Sequence, residues 1–251
     1  MSIIALVNQK GGVGKSTTSV NLGAYLVAHG KKVLLIDMDP QANATTGLGF
    51  KSENAQKSIY DSLSGKVLLK DTILKTSLLG YDLVPATQDL AGATIELVEV
   101  AEREYKFYNA VRDIKNNYDY ILIDCPPSLG LLTVNSLTAS DKIIIPIQCE
   151  YYALEGLSQL LNSIDLIKTN LKEDLEIMGA VLTMYDKRNR LSQQIIKEVR
   201  RHFPGYVFDA VIPRNVSLAE APSFGKTILQ YAPDSTGAKA YNYLAKEMIG
   251  L

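Results

Sequence analysis

The 251-residue sequence contains only two cysteines, Cys125 and Cys149, and two histidines. So few ligands exclude a disulfide scaffold and argue against a zinc site. The sequence also has no apolar run that approaches the roughly 18 residues of a membrane-spanning helix. Its 26 basic and 27 acidic side chains nearly cancel, so net charge by itself selects no class of partner. With 47% hydrophobic residues the chain is too apolar for disorder, and we expect a folded protein of the reducing cytoplasm.

Short apolar runs rich in valine and isoleucine alternate with stretches of helical periodicity. The runs do not alternate between apolar and polar residues, which is typical of parallel strands covered on both faces. Predicted strands cover residues 3–7, 33–36, 81–85, 120–123, 143–147, 178–182 and 207–212. Predicted helices cover residues 16–29, 131–138, 154–168, 192–203 and 237–249. Residues 51–76 are the least regular stretch, which we interpret as an insertion or a mobile region.

This alternation of strands and helices predicts an α/β fold. We expect a doubly wound, mostly parallel sheet with helices on both faces. No repeat, low-complexity tract or linker divides the sequence. We therefore predict one domain over residues 1–251.

The first predicted strand runs into a glycine-rich turn with the sequence N-Q-K-G-G-V-G-K-S-T at residues 8–17. Its three glycines allow left-handed backbone angles, so successive N–H groups and the positive end of a helix can face phosphate oxygens. Lys15 is placed to reach the terminal phosphates, and the Ser16 hydroxyl is placed to bind Mg²⁺. This order of strand, turn and helix predicts a nucleotide site.

Carboxylates follow two of the predicted strands. Asp37 and Asp39 come after residues 33–36 and, being two residues apart, can face the same side. Asp124 follows residues 120–123. An aspartate after a strand usually makes a turn, but ligands gather at the carboxyl ends of parallel strands. With a phosphate loop beside it, Asp124 is expected near Mg²⁺, acting through water.

The phosphate loop departs from the strict G-x-x-x-x-G-K-[ST] pattern, because Gln9 stands at the first glycine and a second lysine, Lys10, follows it. The sequence resembles the ParA/MinD group of P-loop ATPases with deviant phosphate loops, and in particular the small ParA/Soj partition proteins. Four motifs carry the resemblance: K-G-G-V-G-K-S-T at 10–17, D-M-D-P-Q-A-N at 37–43, I-L-I-D-C-P-P at 121–127 and I-P-R-N at 212–215.

The resemblance implies an ATPase that uses ATP, ADP and Mg²⁺, with two subunits closing around two nucleotides. Lys10 would then reach the partner's phosphates, and Asp39 would orient the attacking water. The implied catalytic residues are Lys10, Lys15 and Asp39. The implied magnesium residues are Ser16, Asp37 and Asp124, with Asp37 acting indirectly. The implied nucleotide-binding residues are Lys10, Gly11, Gly12, Val13, Gly14, Lys15, Ser16, Thr17 and, at the adenine, Pro213 and Asn215.

Positive charge is concentrated in residues 186–214, which hold seven basic and three acidic side chains. In the predicted helix 192–203 the apolar residues recur on one face, so the basic ones point to solvent and can bind phosphates without reading bases. Candidate DNA-binding residues are Lys187, Arg188, Arg190, Lys197, Arg200, Arg201 and Lys226. Arg188 matches an arginine that contacts DNA in the family. Ser217 departs from the family, which often has an arginine there.

The resemblance implies an ATP-dependent homodimer on non-specific double-stranded DNA, stimulated by a ParB-type centromere-binding protein in the cytoplasm at the nucleoid. A MinD-like membrane ATPase is the main alternative. Because residues 241–251 contain one basic residue, Lys246, offset by Glu247, we expect this segment to dock on the core without stable membrane association. A metal-cluster relative is disfavoured by the two isolated cysteines. Positioning of a plasmid or a protein cargo stays open.

Overall fold

The structure is a computed structural model that describes residues 1–151 and 153–251, without the side chains of residues 153–155. Within these residues eight strands form one sheet. The strands are β1 (Ser2–Leu6), β2 (Val33–Asp37), β3 (Leu74–Lys75), β4 (Tyr81–Val84), β5 (Tyr120–Asp124), β6 (Lys142–Gln148), β7 (Glu176–Tyr185) and β8 (Val207–Pro213). Their order across the sheet is β3-β4-β2-β5-β1-β6-β7-β8. All neighbouring pairs are parallel except β3 with β4.

The helices of the described residues alternate with these strands along the chain. They are α1 (Lys15–Ala28), α2 (Asn43–Gly47), α3 (Ile59–Leu63), α4 (Leu90–Glu96), α5 (Lys106–Val111), α6 (Leu131–Ala139), α7 (Ala153–Asn170), α8 (Arg190–His202), α9 (Val216–Glu220), α10 (Ile228–Tyr231) and α11 (Thr236–Gly250). Every predicted strand and helix is present, with bounds that differ by three residues at most. The predicted doubly wound α/β fold is therefore confirmed.

The elements that periodicity did not predict are short. Helices α2, α3, α4, α5, α9 and α10 have four to seven residues each. A helix of one or two turns does not complete an apolar repeat, so its sequence resembles a loop. The stretch 51–76, which we expected to be irregular, contains α3 and the two-residue strand β3. Strand β3 pairs antiparallel with β4 and so extends the sheet at one edge.

The core lies on both faces of the sheet, because successive residues of a strand point to opposite sides. In β1, Ile3 and Ala5 belong to one apolar cluster, which α5, α6, α7 and α8 cover. Ile4 and Leu6 belong to the other, which α1, α10 and α11 cover. Buried strands with both faces covered explain why the sequence shows continuous apolar runs rather than alternation.

The topology brings three loop segments to one edge of the sheet. Strand β5 lies between β1 and β2, and Asp124 at its end is in register with both Leu6 and Asp37. The chain therefore leaves β1, β2 and β5 side by side at their carboxyl ends. This edge carries the glycine-rich turn, the pair Asp37 and Asp39, and Asp124.

The C-terminal helix α11 packs on the sheet against β8 and α1. Its residues Tyr241, Leu244, Ala245 and Met248 are buried, which confirms that this segment docks on the core. The Tyr241 hydroxyl lies 3.1 Å from the Thr18 hydroxyl of α1. Among the described residues no helix has the length and apolar character to cross a membrane.

Candidate active site

The glycine-rich turn adopts the backbone conformation that its sequence predicts. Gly12 and Gly14 have φ angles of +73° and +90°, a region that side chains disfavour. The first turn of α1 has no side-chain cap, so its N–H groups stay available for an anion. Beneath the turn, the Thr183 hydroxyl donates a hydrogen bond of 2.8 Å to the Val13 carbonyl oxygen. Strand β7 thus supports the turn from below.

Lys15, at the start of α1, is 6% exposed. Its ammonium group donates a 3.1 Å hydrogen bond to the carbonyl oxygen of Lys10, which curls the side chain back over the turn. Burial lowers the pKa of Lys15, and the nearby charge of Asp124 acts in the opposite direction. A buried ammonium group within a turn of free N–H groups is suited to binding phosphate oxygens.

Asp124 is fully buried, and its two oxygens differ in their surroundings. Oδ1 accepts a 3.0 Å hydrogen bond from the Ser19 hydroxyl, whereas Oδ2 has no hydrogen-bond partner within the described part of the chain. Burial raises the pKa of this carboxyl and the charge of Asp37 raises it further, while Ser16 and Ser19 act against that rise. An unpartnered buried carboxylate oxygen is costly unless a cation or its water satisfies it. The position therefore fits Mg²⁺.

Asp37 lies beside Asp124 but is held by protein donors. Its Oδ2 accepts hydrogen bonds from the Thr45 amide at 2.8 Å and the Thr45 hydroxyl at 2.7 Å. Its Oδ1 accepts one from the Asp39 amide at 3.1 Å. Burial raises the pKa of Asp37, and the Thr45 hydrogen bonds oppose that rise. With both oxygens engaged, Asp37 is arranged to hold α2 and Asp39 in place, which fits the indirect role expected of it.

A cleft of about 480 Å³ runs along the phosphate turn. Lys15, Ser16 and Asp39 line it, so three of the predicted catalytic and metal residues face one space. Asp39 is 6% exposed, and its Oδ1 accepts a 2.9 Å hydrogen bond from the Gln41 amide. Gln41 also lines the cleft, as does Asn43 at the start of α2.

A second cavity of about 180 Å³ adjoins this cleft, since Gly14, Thr17 and Met184 line both. Pro213 and Asn215, the residues expected at the adenine, line the second cavity. The Asn215 side chain caps α9 by accepting a hydrogen bond from the Leu218 amide, and it donates one to the Thr236 hydroxyl. The structure thus places the predicted phosphate and base residues along one continuous path.

Lys10 directly precedes the glycines of the turn and forms an ion pair within its own chain. Its ammonium group is 3.9 Å from the Glu150 carboxylate, and Arg214 lies 3.3 Å from the same group. The Lys10 side chain is 43% exposed. Glu150 was not predicted as a site residue, because nothing in the sequence near residue 150 indicates that two cations meet there. The role of Lys10 across a dimer stays a prediction.

Thr45, Thr183 and Met184 were also missed as site residues. Thr45 donates hydrogen bonds to the Asp37 carboxylate, Thr183 supports the phosphate turn, and Met184 lines both cavities. Met184 has a φ angle of +53°, which is uncommon for a residue with a side chain. These contacts join distant segments, and no local spacing signals them.

The candidate DNA-binding residues are all exposed. Helix α8 buries Ile195 and Val199, so its basic side chains lie on the solvent face, as expected. Arg188 forms an ion pair of 2.8 Å with Asp186, and Arg200 one of 2.9 Å with Asp209. Lys187, Arg190, Lys197 and Arg201 have no ion-pair partner among the described residues. Lys226 lies apart from this group, on the wall of the 480 Å³ cleft.

Comparison with known proteins identifies the family. The family model of the AAA domain matches residues 1–177. The sequence is 56% identical over 246 residues to the sporulation initiation inhibitor protein Soj of Bacillus subtilis (strain 168), covering 98% of this chain and 97% of that protein. The chain belongs to the ParA/Soj family of P-loop ATPases. It is also 51% identical to the chromosome partitioning protein ParA of Caulobacter vibrioides, covering 99% of this chain and 94% of the relative.

A solved structure that contains a bound nucleotide analog shares the fold of this ParA/Soj chain. Cobyrinic acid a,c-diamide synthase from Mycobacterium smegmatis, with bound ATP analog and magnesium, superposes with a TM-score of 0.88 at 36% identity. The match covers 99% of this chain and 94% of that one. The described residues of this chain contain no group of three or more His, Cys, Asp or Glu side chains that would hold a metal alone. Mg²⁺ at nucleotides needs no such cage, since phosphates and waters supply most of its ligands.

The two cysteines are buried in the same apolar cluster, Cys125 directly after β5 and Cys149 directly after β6. Burial raises the pKa of the Cys125 thiol and of the Cys149 thiol, each to about 12. A thiol with so high a pKa carries almost no thiolate at neutral pH and is a poor nucleophile. Cys125 therefore serves as a small packed side chain beside Asp124.

Proposed function

We propose that this ParA/Soj chain hydrolyses ATP to ADP and phosphate, with Mg²⁺, in order to position chromosomal or plasmid DNA. The observation that carries the ATPase proposal is the unpartnered Asp124 oxygen, buried beside Lys15 and Ser16 at the phosphate turn. The printed names of the relatives, which include chromosome partitioning proteins, support the cellular role. All the residues assigned to the reaction lie at one edge of one sheet, so the chain is proposed to act as a single ATPase unit.

The chain's own groups bind the triphosphate and orient the attacking water. The N–H groups of residues 11–16 and the Lys15 ammonium group bind phosphate oxygens, where their positive charge stabilises the transferring phosphoryl group. Ser16 and, acting through water, Asp124 would hold Mg²⁺, and the ion would supply positive charge that neutralises the phosphates. Asp39 lines the same cleft and orients the water. Asp37 fixes the backbone of Asp39 through the 3.1 Å hydrogen bond from its amide.

Closure of a dimer around two nucleotides gives Lys10 its proposed role. Its pairing with Glu150 is exposed and 3.9 Å long, and such pairs contribute little stability, about 1 kcal/mol or less. The ammonium group is therefore free to leave Glu150 for the phosphates bound to a second subunit. Loss of the terminal phosphate removes that attraction, so hydrolysis opens the dimer. The nucleotide acts by changing which state is populated.

The dimer is proposed to bind double-stranded DNA without sequence preference. Helix α8 presents Lys197 and Arg201 on an exposed face, and Lys187 and Arg190 precede or begin that helix. Two copies of this face double the number of phosphates contacted, which makes DNA affinity depend on the dimer. A ParB-type protein bound at a centromere-like site is the proposed activator, in the cytoplasm at the nucleoid.

The dimer proposal is tested by measuring molar mass in solution with light scattering. The Asp39→Ala variant is used so that ATP persists. We expect it to double its mass with ATP and Mg²⁺ and to remain a monomer with ADP and Mg²⁺. The double variant Lys10→Ala with Asp39→Ala is the matched control, and it should bind ATP without doubling. A mass that is the same with ATP and ADP would contradict the proposed switch.

A further inference from the structure

We propose that Met184 is a positioning residue, and that the base and ribose of the nucleotide pack against its side chain. This contact aligns the triphosphate with the N–H groups of the phosphate turn. This inference rests on the proposed ATPase function and adds a residue to its site. Met184 lies near the end of β7 and lines two spaces. One is the 480 Å³ cleft along the phosphate turn, which we call the phosphate cleft. The other is the 180 Å³ cavity lined by Pro213 and Asn215, which we call the base cavity.

The position of Met184 between the two cavities is the first observation. Gly14, Thr17 and Met184 line both cavities. Among these three, Met184 alone has a long apolar side chain. A nucleotide that occupies both cavities would therefore lie against this side chain. Methionine is flexible and polarizable, and its sulfur makes favourable contacts with aromatic rings.

The backbone of Met184 is the second observation. Its φ angle of +53° lies in the left-handed region, which is unfavourable for a residue with a side chain. The neighbours on both sides are anchored. The Thr183 hydroxyl donates to the Val13 carbonyl oxygen of the phosphate turn, and the Tyr185 carbonyl oxygen accepts a 2.9 Å hydrogen bond from the Arg214 amide. One anchor reaches the phosphate side and the other the base side, so both cavities fix this strained conformation.

The chemistry of the base cavity is the third observation. Most of its polar side chains already have partners inside the chain. Tyr241 contacts Thr18, Arg214 pairs with Glu150, and Asn215 bonds the Leu218 amide and Thr236. The remaining lining is largely apolar and includes Ile212 and Leu218. Apolar contact is therefore a main source of base affinity, and Met184 supplies it at the phosphate end.

The test compares a ligand that has a base with one that has none. Isothermal titration calorimetry measures the affinity of ADP and of inorganic tripolyphosphate, both with Mg²⁺, for the full chain. In Met184→Ala we expect ADP affinity to fall roughly tenfold, the loss of one good sulfur–aromatic contact. Tripolyphosphate affinity should stay within twofold of the parent. Met178→Ala is the matched control, since it removes the same side chain from the other end of β7.

Met184→Gly guards against misfolding. Glycine accepts the left-handed angle without strain, so this variant folds even where alanine is strained. It should show the same selective loss of ADP affinity. An equal loss for both ligands, or no loss for ADP in a folded variant, would overturn the proposal for Met184. If the unmodified chain binds neither ligand, the ATPase proposal itself fails, which is a different result.

Discussion

The carboxyl edge of the sheet and the basic face of α8 both carry charged residues with proposed functions, but they are built differently. At the sheet edge, Lys15, Asp37 and Asp124 are buried. Asp37 accepts three hydrogen bonds, and Lys15 and Asp124 each form one with a nearby residue. On α8, Lys197 and Arg201 are exposed, and they have no ion-pair partner among the described residues. Burial fixes the positions and charge states of the side chains at the sheet edge. Solvent leaves the side chains on α8 free to change conformation.

This difference follows from what each region is proposed to bind. A transferring phosphoryl group requires donors fixed in advance, because reorganising them during the reaction costs free energy. A DNA backbone of any sequence requires positive charge at many points and tolerates variation in each. Single substitutions should therefore have large effects at the sheet edge and small, additive effects on α8.

The largest effect is expected for hydrolysis in Asp39→Ala. A residue that positions or activates the attacking water contributes about 10²- to 10⁴-fold to the rate. We expect the single-turnover rate of phosphate release to fall by at least about 100-fold, while ATP affinity stays close to the parent. Asp89→Ala, at the start of α4 away from the lining of the cleft, is the control. Normal phosphate release in Asp39→Ala would remove Asp39 from its proposed role.

The largest loss of ATP affinity is expected for Lys15→Ala. A charge-assisted hydrogen bond at a buried site is worth about 1.5–3 kcal/mol, so ATP affinity should fall by roughly 10- to 100-fold. Calorimetric titration with ATP and Mg²⁺ measures it. Lys32→Ala is matched, since Lys32 is an exposed lysine just before β2, at the opposite edge of the sheet. Unchanged ATP affinity in the Lys15 variant would rule out the phosphate-turn assignment.

On the basic face the expected effects are smaller and depend on salt. In the double variant, the dimer carries two copies of Lys197→Glu and of Arg201→Glu, so four basic side chains are lost. DNA affinity should fall by at least about tenfold at low salt, and the slope of log affinity against log salt should become less steep by about 4. Arg188→Ala and Arg200→Ala should each lose less, because their charges are already paired with Asp186 and Asp209. A double variant with an unchanged salt slope would place the DNA surface elsewhere.

The smallest expected effect is on the free energy of unfolding. Here, replacing a site residue should stabilise the protein, although it impairs function. The folded-state pKa of Asp124 is raised, so the unfolded chain loses this proton at a lower pH than the folded chain does. Stability therefore falls as pH rises above about 4, the unfolded pKa. Asp124→Asn should raise the free energy of unfolding of the nucleotide-free protein by about 1–3 kcal/mol at pH 7.

Urea denaturation in the presence of a chelator measures that gain. The gain should shrink as pH falls, and it should vanish below pH 4, where the parent carboxyl is protonated in both states. It should also shrink at pH 7 with ATP and Mg²⁺, which satisfy the carboxylate only in the parent. A variant that is less stable than the parent at pH 7 would show that the carboxylate is not costly in the empty site.

The sheet-edge residues were predictable because topology gathers them. Once β1, β2 and β5 are recognised as parallel strands, Asp37 and Asp124 must lie at the same edge as the glycine-rich turn. The contacts that shape the site were not predictable. Ser19 reaches Asp124 across 105 residues and Thr183 reaches Val13 across 170, and no sequence spacing encodes such pairs.

For the basic face of α8, the sequence predicts which side chains are exposed but not which ion pairs they form. Its exposure follows directly from the apolar stripe of α8, which sequence periodicity reveals. The ion-pair partners of its arginines do not follow from periodicity. Arg200 meets Asp209 because α8 packs beside β8. Lys226 was grouped with the DNA candidates by charge alone, and its place on the wall of the nucleotide cleft depends on the fold of residues 221–226.

The central claim is that the nucleotide state of the sheet edge controls the basic face. It is tested most directly by titrating Asp39→Ala with random-sequence duplex DNA, in the presence of ATP and Mg²⁺ or of ADP and Mg²⁺. Anionic lipid vesicles are titrated in parallel under the same conditions. We predict binding to DNA with ATP, at least tenfold weaker binding with ADP, and none to vesicles. Equal DNA binding in both nucleotide states, or binding to vesicles in place of DNA, would contradict the account.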